Sequence, residues 1–274
     1  MREILEKLLE KKITIKEAEK LLKVNNIKQI QEIANFDISR KYRSGFPEAV
    51  LAKGKVYSDL LLIIQSYLND KENKDKLIVT KLDLNSYKKI KEDTSNTKWN
   101  IKKDFNFQYN EKGKILIIKR KRERDKIGSK KIGKNETKYK IGLITAGTSD
   151  IPIAEEVRII SEEGGCEVVK AYDIGIAGIH RLFPEIKKMI KEDVKVIVVC
   201  AGMEGALSSV VAGLVNVPVL GVPTSVGYGI GADGKAAIYG MLQSCVPGLA
   251  VENIDNGFGA AIFALTIIKL LEDN

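Results

Sequence analysis

Apolar positions at the start of the chain recur at helical spacing. The apolar residues of the first ten positions share one helical face: Ile4, Leu5, Leu8 and Leu9. Thr14 and Glu17 then have the spacing of a capping box, ahead of a second apolar run at 18–22. The pattern therefore predicts a small helical cap.

Short alternating runs follow and predict strands. Residues 36–39 and 77–80 are typical of short strands, and residues 105–109 and 114–119 predict a hairpin around an Asn-Glu-Lys-Gly turn at 110–113. We therefore expect a small α+β domain over residues 1–118.

From Ile141 onward, β-branched runs alternate with helical stretches. The five runs are IGLIT, CEVVKAY, VKVIVVCA, PVLGVP and LAVENI. Strands that alternate with helices predict a doubly wound parallel sheet with right-handed crossovers, here over residues 141–274. In such folds ligands bind beyond the carboxyl ends of the strands, so we expect the site there.

The formal net charge of +9 is concentrated between the two predicted domains. Residues 119–140 contain eleven Lys/Arg and three Asp/Glu, whereas residues 141–274 contain nine and sixteen. The basic segment has no aromatic residue before Tyr139, so base stacking does not explain it. We interpret it as a solvated linker, and nucleic acid is the less favoured alternative as its partner.

The three cysteines are Cys166, Cys200 and Cys245. Their odd number and wide spacing fit neither a disulfide framework nor paired metal ligands, so reduced thiols and a cytoplasmic protein are expected. The uncharged residues 205–222 contain Pro218 and two serines, which predicts a helix, a turn and a strand. We expect no membrane span.

Polar and glycine residues follow the first strand. Gly147 with Thr148 and Ser149 has the composition of a phosphate-binding turn, and Asp150 precedes a helix predicted to begin near Ile151. An ordinary helix N-cap by Ser149 or Asp150 explains these residues equally well.

The loop after the second strand contains the only histidine of the chain. Asp173, His180 and Arg181 share this loop with two glycines, which favours a functional histidine over a structural one. After the third strand, Glu204 is predicted in the first turn of a helix, where a carboxylate could simply favour the helix dipole.

Two further features lie near the chain end. The run Gly229-Ile-Gly-Ala-Asp-Gly234-Lys235 matches dinucleotide and phosphate-loop patterns, but Ala236 lacks the hydroxyl for Mg²⁺ and the run follows its strand too late. We interpret it as a glycine-rich loop lining a pocket. Cys245 is predicted to end a helix before the fifth strand, and spacing alone does not distinguish it from a core cysteine.

Together these segments resemble the LarB family, whose C-terminal domain is similar to the PurE aminoimidazole ribonucleotide carboxylase fold. The matching segments are ITAGTSDIPIAEE, DIGIAGIHRL, AGMEGALSSVVAGL, PVLGVPTSVGYGIG and MLQSCVPGLAVENIDNGFGAA. In the first third, the matching residues are Asp37, Arg40, Arg43, Gly45, Pro47 and Glu48.

The resemblance implies a substrate and a reaction. The substrate is nicotinic acid adenine dinucleotide, whose pyridinium ring is carboxylated with CO₂ and whose phosphoanhydride is cleaved to release AMP. The product is pyridinium-3,5-biscarboxylic acid mononucleotide, a precursor of the nickel-pincer cofactor. The resemblance further implies a homo-oligomer, an octamer as in PurE-like proteins. Mg²⁺ on the pyrophosphate is expected, although no ligand motif identifies its site.

The resemblance also assigns roles. Cys245 is the nucleophile and Glu204 its acid/base partner, both expected at strand carboxyl ends, and His180 orients CO₂ or the new carboxylate. The residues assigned to substrate binding are Thr148, Ser149, Asp150, Asp173, Arg181, Gly202, Met203, Arg40 and Arg43. Surface salt bridges explain the last two arginines equally well.

Two rival interpretations remain. A purine-pathway carboxylase or mutase of the PurE type is favoured by the fold and disfavoured by Cys245 and Glu204. A nucleotide-binding regulatory module with a basic tether is the second. Neither rival releases AMP from the dinucleotide in the presence of CO₂.

Overall fold

The structure is a computed structural model, and it describes residues 2–24, 27–30, 34–37, 40, 45–69, 76–94, 104–121 and 139–272. The chain divides into two compact units, Met1–Tyr109 with Leu116–Glu123 and Asn110–Ile115 with Arg124–Asn274. Most of the predicted basic linker, residues 122–138, lies outside the described residues. Each unit is described by itself.

The N-terminal unit combines helices with short strands. Its elements are α1 (Arg2–Leu9), α2 (Ile15–Val24), β1 (Ile27–Ile30), β2 (Ala34–Asp37), β3 (Ala49–Leu51), α3 (Tyr57–Asn69), β4 (Leu77–Thr80), α4 (Leu84–Asp93), β5 (Phe105–Asn110) and β6 (Ile115–Arg120). The predicted capping box is confirmed, since the Thr14 amide donates to Glu17 Oε2 at 2.8 Å and the Glu17 amide donates to Thr14 Oγ1 at 3.2 Å.

The main sheet of this unit is mixed. Its strand order is β3-β4-β6-β5, with β4 parallel to β3 and antiparallel to β6. The predicted strand at 77–80 and the predicted turn are confirmed, and the Gly113 amide donates to Asn110 Oδ1 at 2.7 Å. The strand predicted at 36–39 is β2, which ends at Asp37 and pairs antiparallel with β1. Residues 38 and 39 lie outside the described residues.

The C-terminal unit alternates strands and helices. Its elements are β7 (Lys140–Thr145), α5 (Ile151–Glu163), β8 (Glu167–Ala171), α6 (Leu182–Lys191), β9 (Val194–Ala201), α7 (Ala206–Ala212), β10 (Val219–Pro223), α8 (Lys235–Leu242), β11 (Leu249–Val251) and α9 (Gly257–Glu272). Short 3-10 helices precede α5, α6 and α8, at Thr148–Asp150, Ile176–Arg181 and Gly229–Gly231.

The predicted parallel sheet is confirmed. Its order is β11-β10-β9-β7-β8, and every pair of neighbouring strands is parallel. This is the flavodoxin-like order, in which ligands bind at the strand carboxyl ends near the point where strand order reverses. That point lies between β7 and β9.

Helices form a layer on each side of the sheet. Buried side chains of α6, α7 and α8 share one apolar cluster with the strands, which includes Leu182, Leu207 and Met241. Alternate strand side chains point the other way, where α5 and α9 pack together. Within the described part of the chain, the helices are too short or too polar to cross a membrane.

Candidate functional site

A buried carboxylate joins three of the loops at the strand carboxyl ends. Asp150 is 3% exposed, and its two oxygens accept hydrogen bonds from Thr224 Oγ1 at 2.6 Å and the Gly147 amide at 2.8 Å. The Gly202 amide is a third donor. Burial raises the pKa of Asp150 above its usual range, and these hydrogen bonds offset part of that rise. We call this arrangement the Asp150 knot.

The Asp150 knot revises one interpretation from sequence. Asp150 occupies the N-cap position of α5, but its side chain makes no capping hydrogen bond, so N-capping by Asp150 is wrong. Its carboxylate turns instead toward the neighbouring loops. Thr148 and Ser149, in contrast, are exposed, and α5 begins at Ile151 as predicted. Only these two hydroxyls of the turn are therefore accessible to a ligand.

Two glycines allow the loops to approach one another closely. A Cβ atom on Gly175 would lie 2.7 Å from the carbonyl oxygen of Ala146, and one on Gly202 would collide with the carbonyl oxygen of Val226. The loops after β7 and β8 and those after β9 and β10 thus pack backbone against backbone. Gly202 consequently shapes the edge of the site through its backbone.

The loop after β8 brings two of the predicted residues together. The Asp173 amide donates to Thr145 Oγ1 at 2.9 Å, which fixes this loop to the end of β7. Arg181 Nη1 lies 3.5 Å from Asp173 Oδ2, and Arg181 Nε donates to the Gly178 carbonyl at 3.4 Å. His180 precedes this arginine and is exposed. The loop therefore presents a cation and an imidazole at the sheet edge.

Glu204 lies in a turn before α7. Its prediction in the first turn of the helix is wrong, because Met203 and Gly205 have left-handed backbone angles, with φ of 54° and 70°, and α7 begins only at Ala206. The Met203 amide donates to the Val226 carbonyl at 2.9 Å, which anchors the turn. The Glu204 side chain is exposed.

Cys245 lies in a loop between α8 and β11. The helix ends at Leu242, capped by Gln243, so the prediction that Cys245 ends it is wrong. The prediction that Cys245 lies at a strand carboxyl end is also wrong, because the residue precedes β11 and the Gly248 carbonyl accepts from the amide of Val219, the first residue of β10. Cys245 is exposed, whereas Cys166 and Cys200 are buried.

The Cys245 loop packs on α7, the helix that follows Glu204. Ser209 Oγ donates to Ser244 Oγ at 2.8 Å, and a Cβ atom on Gly240 of α8 would collide with the Glu204 carbonyl oxygen. The turn that carries Glu204 thus precedes α7, and the loop that carries Cys245 is bonded to Ser209 in the middle of the same helix.

An apolar groove of about 400 Å³ lies between the chain neighbours of His180 and Cys245. It is lined by Ile179, Phe183, Ser209, Val210, Gly213, Leu214 and Val246. Ile179 and Val246 directly neighbour the predicted functional residues. The groove is therefore lined by a sequence neighbour of each candidate, His180 and Cys245.

The two predicted arginines belong to the N-terminal unit. Arg40 Nε lies 3.7 Å from Asp37 Oδ2, consistent with the salt-bridge alternative, and Arg43 lies outside the described residues. In the described part of the chain, no three His, Cys, Asp or Glu side chains come together as metal ligands.

Sequence reasoning missed Thr224, Ser209 and Ser244. Thr224 is fully buried and its bond to Asp150 spans 74 residues, so no local pattern signals it. The two serines lie 35 residues apart and meet only because α7 and α8 pack together. A serine directly before the candidate cysteine was the one available signal.

Comparison with known proteins identifies both parts of the chain. Residues 140–274 match the AIR carboxylase family, and residues 27–121 match the LarB/PurE-like N-terminal domain. The chain is 47% identical over 259 residues to an uncharacterized protein of Methanocaldococcus jannaschii, covering 94% of this chain and 93% of that protein.

Two further similar proteins match about half of the chain. N5-carboxyaminoimidazole ribonucleotide mutase of Methanocaldococcus jannaschii is 36% identical over 139 residues, covering 49% of this chain and 82% of that protein. A crystal structure of a serine-to-aspartate variant of Treponema denticola PurE2 is 23% identical, with a TM-score of 0.37, covering 50% of this chain and 91% of the other.

The parallel sheet, together with the match to the AIR carboxylase family, makes the C-terminal unit a carboxylase-related α/β protein. The match of residues 27–121 to the LarB/PurE-like N-terminal domain distinguishes this chain from proteins that consist of a PurE domain only. The chain belongs to the LarB family, as its sequence motifs predicted.

Proposed function

We propose that the protein carboxylates the pyridinium ring of nicotinic acid adenine dinucleotide through a Cys245 adduct and cleaves the phosphoanhydride to release AMP. The observation that carries this proposal is the exposed Cys245 in the loop held against α7, within a chain of the LarB family. An exposed thiol can reach a substrate, whereas a core cysteine cannot.

The cysteine is needed because CO₂ and the pyridinium ring are both electrophiles. Neither CO₂ nor a pyridinium ring attacks the other until the ring becomes electron-rich. The Cys245 thiolate adds to a ring carbon beside the target carbon, and the electron pair displaced from the ring neutralises the ring nitrogen. The resulting enamine attacks CO₂ through its next carbon. Loss of that carbon's proton and expulsion of the thiolate then restore the pyridinium, with no net oxidation or reduction.

Glu204 is the proposed proton acceptor. Its carboxylate is exposed beside the start of α7, the helix against which the Cys245 loop packs. It takes the thiol proton before addition or the ring proton after carboxylation. His180, on the other side of the apolar groove, is proposed to orient CO₂ or the new carboxylate.

The phosphates are assigned to the exposed part of the turn after β7. Thr148 and Ser149 present exposed hydroxyls just before α5, at the end of that helix whose dipole favours an anion. Arg181, held near Asp173, supplies a guanidinium that can bind an oxyanion bidentately. Water attack on the phosphoanhydride then yields AMP and the dicarboxylated mononucleotide. Mg²⁺ would supply charge neutralisation on the pyrophosphate.

A PurE-type mutase is the second candidate, favoured by the 36% identity of the C-terminal unit to such an enzyme. An aminoimidazole substrate is already enamine-like and needs no thiolate. The two candidates therefore differ in their dependence on Cys245.

Two incubations distinguish these candidates. The full chain is supplied with the dinucleotide, ¹³C-labelled bicarbonate and Mg²⁺, and the products are resolved by mass. We expect CO₂-dependent AMP together with a labelled, dicarboxylated mononucleotide. A parallel incubation supplies N5-carboxyaminoimidazole ribonucleotide in place of the dinucleotide. Turnover there, with neither product formed from the dinucleotide, would establish the mutase.

A further inference from the structure

The Cys245 loop is fastened on both sides of the cysteine. Ser244 Oγ accepts one hydrogen bond from Ser209 Oγ at 2.8 Å and a second from the Val246 amide at 3.3 Å. These bonds involve the residues immediately before and after Cys245. One hydroxyl thus links α7 to both neighbours of the candidate nucleophile.

An apolar contact seats the same loop. Val246 lines the groove beside Val210, and its Cγ1 would lie 4.0 Å from a Cβ atom on Gly213. Residues 244–246 form no helix or strand of their own. The loop is therefore held to α7 through one hydroxyl and one side chain, beside the bond that the Ser244 amide donates to the Met241 carbonyl of α8 at 3.3 Å.

We propose that Ser209 is a positioning residue for the reaction, acting through Ser244 to hold the Cys245 thiol at a fixed place along α7. The inference rests on the proposed function, because it assigns Cys245 the role of nucleophile. The same helix starts beside Glu204, so the Ser209–Ser244 bond also sets the spacing between thiol and carboxylate. A thiol must meet one ring carbon while the carboxylate meets its neighbour, and small displacements at this step cost rate.

The test compares Ser209→Ala with Ser209→Thr in the full chain. Loss of one ordinary hydrogen bond predicts that Ser209→Ala lowers kcat for carboxylation by about threefold to tenfold, with KM for the dinucleotide little changed. Ser209→Thr keeps a hydroxyl and should remain within about twofold of the wild type. Thr266→Ala on α9 removes a helix hydroxyl far from the loop and serves as the control.

A second readout follows the thiol itself without any substrate. Cys166 and Cys200 are buried, so brief iodoacetamide treatment of the native protein labels Cys245 alone. A released loop exposes this thiol more freely, so Ser209→Ala should raise its alkylation rate by about twofold or more while lowering kcat. A variant that is merely destabilised would instead label all three cysteines, which the intact mass reveals.

Opposite changes in the two rates support the proposal. Unchanged kcat and unchanged alkylation in Ser209→Ala would overturn it, as would labelling of three thiols without selective acceleration at Cys245. A wild-type protein that makes no product would overturn the proposed function, while the alkylation comparison would still decide whether Ser209 holds the thiol.

Discussion

The Asp150 knot and the Cys245 loop differ in how they are held. The knot is buried, and its carboxylate accepts bonds from three loops of the parallel sheet. The Cys245 loop lies on the surface and is fastened to α7 by one serine pair. In the proposed function, the sheet edge above the knot binds the substrate and the exposed loop carries the nucleophile, so the two regions are expected to respond differently to mutation.

The largest expected effect is on the loop side. Cys245→Ser should reduce carboxylation by at least about 10⁴-fold, because an alkoxide is rarely available at neutral pH and the ring would never become nucleophilic. Melting temperature and dinucleotide binding should be retained, since the side chain is exposed. Product formation and the melting temperature are both measured for the variant. The covalent adduct is sought in the wild type by mass spectrometry, as a protein mass increased by that of the substrate. Carboxylation at near wild-type rate would end the covalent mechanism.

Glu204→Gln is the next largest change. The substitution replaces the carboxylate with an amide of nearly the same shape that cannot act as a base. The carboxylation rate should fall by a factor of about 10² to 10⁴, the range for a positioned proton-transfer group. Alkylation of Cys245 by iodoacetamide separates the two steps at which this carboxylate is assigned a proton. Slower alkylation places Glu204 at thiol activation, and unchanged alkylation places it at removal of the ring proton. Unchanged product formation would remove Glu204 from the mechanism.

The knot predicts a loss of stability. Asp150→Asn puts an amide group among three donors, so at least one buried donor loses its acceptor, at a cost of about 1–3 kcal/mol. The free energy of unfolding is measured with urea. Asp193→Asn is the matched control, because Asp193 is exposed and its left-handed backbone also suits asparagine. Equal stability of the two variants would show that the knot contributes little.

The smallest expected effect concerns pH and a carboxylate on α5. Burial acts to raise the pKa of Glu155, but hydrogen bonds from Arg158 and Tyr172 outweigh it, so the folded pKa lies below the ordinary range. Its stabilising contribution is therefore present above the unfolded pKa and is lost as pH falls through the folded one. The pKa of Asp150 is raised, so its effect on stability has the opposite sign: it stabilises the folded protein more as the pH falls.

Comparing Glu155→Gln with the wild type isolates the contribution of Glu155 to the free energy of unfolding, because Asp150 is present in both proteins. The difference in unfolding free energy should shrink as pH falls from about 5 to about 3. Urea titrations at several pH values measure it. A difference that is constant across this range would contradict the assigned pKa direction.

Sequence predicted the sheet well and the helix ends less well. Apolar runs such as Val194–Ala201 signal buried strands by themselves, and their alternation with helices dictates parallel order. Helix α7 starts later than expected because Met203 adopts left-handed angles, which are unusual for its residue type. The role of Asp150 depends on Thr224, far away in sequence, so only folding reveals it. Strand β1 was not predicted, because Ile27–Ile30 is short and its polar residues do not alternate with the apolar ones.

The left-handed turns carry an evolutionary consequence. Asp173 and Met203 follow β8 and β9 with φ of 60° and 54°, a conformation that costs a side-chain-bearing residue on the order of 1 kcal/mol. Glycine at either position would relieve that strain while letting the turn sample more shapes. Glycine also loses more backbone entropy on folding, which offsets the relieved strain, so stability alone does not decide between glycine and a side chain at these positions. Side chains retained there among related chains would therefore point to a role at the strand ends other than stability.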